Sequence, residues 1–273
     1  MARVTRLDEW LRPNAPAPSE PAPTPEQRRA LWFEITVVLL VTFGLSGLSG
    51  ILSLTEDALA PGVLSDQTVA LNVTQSTVGW IDLGRQLLGI AKLCAWAALG
   101  LYLLWRSGLG PARIGLPARP DWRRDLLPGV GLAALIGLPG LALYLVANAL
   151  GANLTVVPST IDDHWWRLPA LVAWAFANSA AEEVLVVAYL ISRLRRLGWS
   201  ENRSLLASAV LRGSYHLYQG LGGGLGNVVM GLVFGRYWQK TGRLWPLVVA
   251  HWLIDAVAFV GYTALRGHVS WLP

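Results

Sequence analysis

The chain is poor in charge and nearly devoid of cysteine and lysine. Only 14% of its 273 residues are Asp, Glu, Lys or Arg, against roughly 25% in an ordinary soluble domain. Cys94 is the single cysteine, so a disulfide framework and a thiolate zinc cluster are both excluded. Lys92 and Lys240 are the only lysines among 22 basic residues, and the remaining cations are arginines. The first thirty residues hold no continuous apolar core ahead of a small-residue cleavage site, which argues against a cleavable signal peptide. What is abundant is apolar: hydrophobic residues make up 53%, with 28 Gly and 14 Trp. A soluble core of this size would not hide so much apolar surface, and disorder is excluded for the same reason. The composition therefore implies an integral membrane protein with membrane lipid as its surroundings. The net charge of +5 bears on orientation in that membrane, and nucleic acid is not expected as a partner.

Six prolines between Pro13 and Pro25 predict a disordered or polyproline tail over 1–30, with a helix beginning near Pro25 and Thr24 as its N-cap. Apolar runs follow at 31–54, 87–105, 126–150, 168–191, 205–217, 221–238 and 244–265. Most approach the ~20 residues needed to cross a bilayer, and the fifth is the shortest. The fold class expected is all-α: a polytopic transmembrane helix bundle of about seven spans, 31–150 forming its N-terminal helices. The segment 69–81 reads as a surface helix rather than a crossing.

Charge asymmetry agrees with that count. Arg3, Arg6, Arg12, Arg28 and Arg29 precede the first run, whereas Glu56, Asp57, Asp66 and Asp82 follow it. Arg106, Arg113, Arg119, Arg123 and Arg124 come next, then Asp162 and Asp163 with only Arg167. Arg193, Arg195, Arg196 and Arg203 are followed by the uncharged 219–224, and then by Arg236, Lys240 and Arg243. Arginine-rich and arginine-poor connections alternate, which places the protein in the cell membrane with a cytoplasmic N-terminus and Pro273 outside. Trp32, Trp80, Trp105, Trp199, Trp245 and Trp271 lie near span ends and read as interfacial anchors.

Ionisable residues inside a span are costly and mark function by default. They gather in the last four runs: Glu182, Glu183, Arg212, His216, His251 and Asp255. Glu34 and Lys92 are near enough to span ends to snorkel. His251 and Asp255 are four apart and share a helix face, and Arg212 and His216 have the same spacing. Glu182 and Glu183 are neighbours, so on a helix they diverge by about 100° and take different partners. The competing structural explanation is helix–helix hydrogen bonding within the bundle. The run 220–226, GLGGGLG, follows no strand and lacks the GK[ST] ending of a phosphate loop, so it reads as a turn and a close-packing face.

Glu182-Glu183, then His216, then His251-Trp-Leu-Ile-Asp255 resemble the three motifs of the CPBP family. These are the CAAX prenyl protease and bacteriocin-processing, or Abi, intramembrane endopeptidases, with the pattern EExxxR, FxxxH and HxxxB, where B is Asn or Asp. The resemblance covers roughly 166–262, and the flanking text is similar to an actinobacterial branch. Two positions depart from the pattern: Val187 stands where the motif has Arg, and Arg212 where it has Phe.

The resemblance implies that 151–273 is a catalytic membrane core with a cavity among the last four spans. It implies an endopeptidase acting on membrane-associated protein or peptide substrates. Glu182 would activate water, His216 would position it, and His251 and Asp255 would stabilise the oxyanion, with Glu183 in support. The chemistry is coherent, because a desolvated carboxylate is a stronger base and polar donors stabilise developing negative charge. Two His and a Glu also suit zinc, but the HExxH spacing is absent, so no cofactor is the reading preferred. A catalytically inactive scaffold of the same family and a proton-coupled transporter are the alternatives. No internal repeat supports the transporter. The two departures suggest one exchange: the motif's positive charge has moved to Arg212, which then pairs with Glu183 across the bundle.

Overall fold

A computed structural model of the chain describes residues 22–265, with Trp10 and His268 in addition. The tail expected over 1–30 therefore lies outside the described residues as far as 21, Trp10 excepted, and so do Trp271 and Pro273. Helix α1 (Pro25–Val41) begins where the sequence places it, at Pro25 behind Thr24. The Thr24 hydroxyl accepts the Gln27 N–H at 3.3 Å, and the Gln27 amide oxygen accepts the Thr24 N–H at 3.0 Å. Two otherwise orphaned donors are thus satisfied reciprocally.

Helix α2 (Phe43–Leu59) follows after a bend of 54°. The bend falls at Thr42, whose hydroxyl donates to the Val38 carbonyl at 2.6 Å. Hydroxyl back-bonding of this kind loosens the backbone ladder and bends helices. The apolar run 31–54, expected as a single span, is thereby two helices.

The remaining helices are α3 (Gly79–Arg106), α4 (Trp122–Ala149), α5 (Arg167–Arg196), α6 (Glu201–Ser214), α7 (Leu221–Thr241) and α8 (Trp245–Leu265). Among the described residues α3, α4, α5 and α8 are long and apolar enough to cross a membrane, and counting the bent α1–α2 pair makes five. Helix α6 has 14 residues, only about 21 Å at 1.5 Å per residue. Helix α6 is thus too short to cross by itself, and the glycines of α7 lower its apolarity. Helix α3 starts at Gly79 rather than 87 because its first turns are polar yet packed. There the Asp82 carboxylate accepts the Gln75 N–H at 2.7 Å, and Gln86 donates to the Val73 carbonyl at 2.9 Å.

The all-α expectation needs one correction. Strand β1 (Thr68–Asn72) pairs in parallel with β2 (Thr155–Ser159), Thr68 opposite Thr155. The expected surface helix over 69–81 is instead strand, loop and the first turn of α3. The local text TVALNVT is rich in β-branched residues, but its pairing partner comes from a distant connection.

Connections of like charge gather at the same end of the bundle. At the arginine-rich end, Arg193 donates to Ser107 Oγ at 2.8 Å and Trp245 Nε1 to the Pro117 carbonyl at 2.9 Å. There too Arg243 holds both oxygens of Asp125 at 2.8 Å. At the opposite end lie the β1–β2 pair and a bridge between Asn153 and Gly220. Thr74 Oγ1 donates to the Thr160 carbonyl there at 3.0 Å. Glu34 does not snorkel free: its carboxylate accepts from Arg193 Nε at 2.7 Å and from the Tyr189 hydroxyl at 3.0 Å. Lys92 lies with its ammonium 5.4 Å from the Trp96 ring centroid. Helix α5 is the axis of the bundle. Its residues from Ala181 to Ile191 are all buried, packed by α3, α6, α7 and α8.

Candidate active site

Helix α5 is α-helical as far as Glu182 and π-helical over Glu183–Tyr189. A π-turn breaks the regular backbone ladder and occurs often at functional sites. Here a hydroxyl from α6 answers it, for Ser208 Oγ donates to the Val186 carbonyl at 2.6 Å, both groups buried. Glu182 and Glu183 sit at the transition, and they do take different partners.

The Glu183 carboxylate accepts from Arg212 Nη2 on α6 at 2.7 Å and meets His251 Nδ1 on α8 at 2.8 Å. The cation expected to have moved to Arg212 therefore does reach Glu183 across the bundle. Both side chains are fully buried, which makes a broken pair costly. Glu182 Oε2 accepts the Tyr215 hydroxyl at 2.7 Å, and its Oε1 accepts Asn178 Nδ2 at 3.1 Å. Asn178 also donates to Asp255 Oδ2 at 3.2 Å, and His251 Nε2 lies 3.5 Å from that same oxygen. Arg212 Nη1 lies 3.5 Å from Glu182 Oε2. A ring of six side chains from three helices results: Glu182, Asn178, Asp255, His251, Glu183 and Arg212.

His216 faces this ring from outside it. Its Nε2 lies 3.8 Å from Glu182 Oε2, beyond direct hydrogen-bond reach. Gln219 Nε2 approaches His216 Nδ1 at 3.3 Å. With Nδ1 turned to Gln219, Nε2 is the ring nitrogen that faces Glu182. His216 Nε2, Arg212 Nη1 and Glu183 Oε2 are buried atoms without a hydrogen-bond partner. Asp255 and His216 are the more open members, at 19% and 15% side-chain exposure, against 2% for Glu182.

The structure thus brings together all six residues singled out from the sequence: Glu182, Glu183, Arg212, His216, His251 and Asp255. One local expectation is corrected. His216 does not share a helix face with Arg212, because α6 ends at Ser214 and His216 lies in the turn beyond it. That turn is held by the segment ahead of β2. Leu154 N–H donates to the Gln219 carbonyl at 3.2 Å, and Asn153 Oδ1 accepts the Gly223 N–H at 3.0 Å. Gly220 has φ +105° at the bridge to Asn153, a left-handed geometry that favours glycine. Of the 220–226 run only Gly220 lies in the turn, while 221–226 open α7 as the close-packing face expected, since a Cβ on Gly224 would crowd Leu217 and one on Gly222 would crowd Ala147.

Three contributors went unnoticed in the sequence. Asn178 is one turn before Glu182, a relation that i,i+4 spacing makes visible. Tyr215 adjoins His216 but carried no local signal. Phe43 stacks on Tyr215 with centroids 4.9 Å apart. Helix α2 comes close here, since a Cβ on Gly50 would lie 2.5 Å from the Ser214 carbonyl oxygen. The N-terminal half therefore shapes the site as well as supplying membrane helices. Among the described residues no three His, Cys, Asp or Glu side chains are grouped to hold one ion.

Residues 164–257 match the family model described as type II CAAX prenyl endopeptidase, Rce1-like. No curated protein and no solved structure matches the chain. The match takes in every member of the ring, and over those residues the chain is similar to the type II CAAX prenyl endopeptidases.

Proposed function

We propose that the chain hydrolyses peptide bonds of membrane-associated proteins or peptides, using a water activated by Glu182 and no metal. The observation that carries this reading is His216 Nε2, buried without a hydrogen-bond partner and 3.8 Å from Glu182 Oε2 in a nearly closed site. A carboxylate has about four lone-pair sites, and Tyr215 and Asn178 take one each. The remainder serve a water held between Glu182 and His216. Glu182 removes a proton as the water oxygen attacks the scissile carbonyl carbon, and returns it to the departing amine as the C–N bond breaks. His251 acts where the oxyanion develops, and the neighbouring Asp255 carboxylate, an acceptor only, holds its ring in place. Glu183, held by Arg212, orients His251 through Nδ1.

Seven crossings, a cytoplasmic N-terminus and a cell-membrane location belong to the same proposal. Support comes from the gathering of arginine-rich connections at one end of the bundle and arginine-poor ones at the other. Membrane lipid and a membrane-associated substrate are then the partners, with the substrate cut inside a cavity among the last four helical segments.

The test is peptide release from membrane peptide pools by the purified chain in liposomes. Glu182→Gln and His216→Ala each abolish release while remaining folded, and a membrane-permeant zinc chelator leaves the wild-type rate unchanged. Retained cleavage in both variants overturns the reading. Reversible loss with the chelator overturns its metal-free part.

A further inference from the structure

We propose that Asn178 is a positioning residue of this site, its carboxamide tying Glu182 and Asp255 together and aiming Glu182 at His216. The role rests on the protease reading above. Asn178 stands one helical turn before Glu182, and its Nδ2 lies 3.1 Å from Glu182 Oε1 and 3.2 Å from Asp255 Oδ2. An amide nitrogen carries two hydrogens, one for each carboxylate. Two acidic side chains facing each other across a bundle repel, and the NH2 group between them supplies what each accepts.

The second consequence is orientation. Tyr215 holds Glu182 Oε2 and Asn178 holds Oε1, so the carboxylate plane is pinned from both sides. The lone pairs left on Oε2 then face His216 Nε2 at 3.8 Å. Without Asn178 the carboxylate keeps only the Tyr215 hydrogen bond, and its last torsion is broad and soft. The third consequence concerns Asp255. The resembled motif has Asn or Asp at this position, and an ionised Asp accepts but does not donate. In this chain the amide is supplied from α5 instead, facing the Asp255 carboxylate on α8.

This arrangement is testable. The full chain in phospholipid liposomes is given a peptide that wild type cuts and Glu182→Gln does not. Asn178→Ala is expected to lower kcat at least tenfold with KM within twofold, the split of a misaimed base rather than of lost binding. Asn178→Asp removes the donor and adds a third carboxylate, so it is expected to be at least as slow. Asn178→Asp combined with Asp255→Asn returns an amide to the pair and is expected to regain most of kcat. A kcat within twofold of wild type for Asn178→Ala, or a double variant no faster than Asn178→Asp, overturns the proposal. If no peptide separates wild type from Glu182→Gln, the protease reading is what fails. Thermal unfolding of Asn178→Ala, Glu182→Gln and their combination then decides whether the tie exists. Non-additive shifts support it and additive shifts overturn it.

Discussion

Arg212→Phe restores the aromatic of the resembled motif and strips Glu183 of its cation. Glu183 and Arg212 are both at 0% side-chain exposure and 2.7 Å apart, so no water replaces the lost partner. Removing one member of a buried pair costs roughly 3–5 kcal/mol. The guanidinium carbon of Arg212 already lies 5.9 Å from the Phe234 ring centroid, so a new ring there fills occupied space and its burial offsets little. Adding Val187→Arg places a cation four residues after Glu183, on its own helix face. Val187 is fully buried, and overfilling such a position costs about 1–3 kcal/mol. The double variant should therefore recover about 2 kcal/mol of the loss, not all of it. Arg212→Lys should fall between wild type and Arg212→Phe, since an ammonium keeps the charge but loses the planar fork. The assay is reversible unfolding in mixed micelles, followed by circular dichroism against the mole fraction of denaturing detergent. An Arg212→Phe variant as stable as wild type refutes the view that this pair holds the site. A double variant no more stable than Arg212→Phe refutes the exchange between the two motif helices.

Gly50→Val drives a side chain into the Ser214 carbonyl, 2.5 Å from an ideal Cβ; about 1–3 kcal/mol of stability should be lost, together with most peptide release, and unchanged release would show that α2 does not shape the site. Asp125→Ala removes the two 2.8 Å bonds to Arg243 and should cost roughly 1.5–3 kcal/mol, seen as a lower unfolding midpoint at undiminished Glu182-dependent cleavage. Location reporters fused after Arg119 and after Asp162 should read inside and outside respectively, and the same side for both would refute the alternating topology.

Membrane character, helix-rich fold and the six ionisable residues were legible along the chain because each is a local property. Apolar length, charge bias between runs and four-residue spacing are sums over neighbours in sequence. The pairing of Arg212 with Glu183 was also within reach, because a missing cation at Val187 and an added one at Arg212 are complementary departures from one motif. Thr24 and Pro25 marked the start of α1 for the same local reason, a capping box that closes within four residues.

Other features depended on partners far away in sequence. Only packing turned 68–72 into a strand, since its partner is 155–159. Only packing kept the polar start of α3 helical, through the loop that Asp82 and Gln86 hold. His216 left the helix face it shares with Arg212 by spacing because α6 stops at Ser214 and the turn is tied to Asn153 and Leu154. Tyr215 reached Glu182 through the end of that same helix, braced by Phe43 from the other half of the chain. Sequence by itself determined which residues are apolar, which are charged and which lie one turn apart. How each helix is rotated about its axis, and where it ends against its neighbours, was settled by close packing among helices, and that rotation joins the polar side chains into one ring.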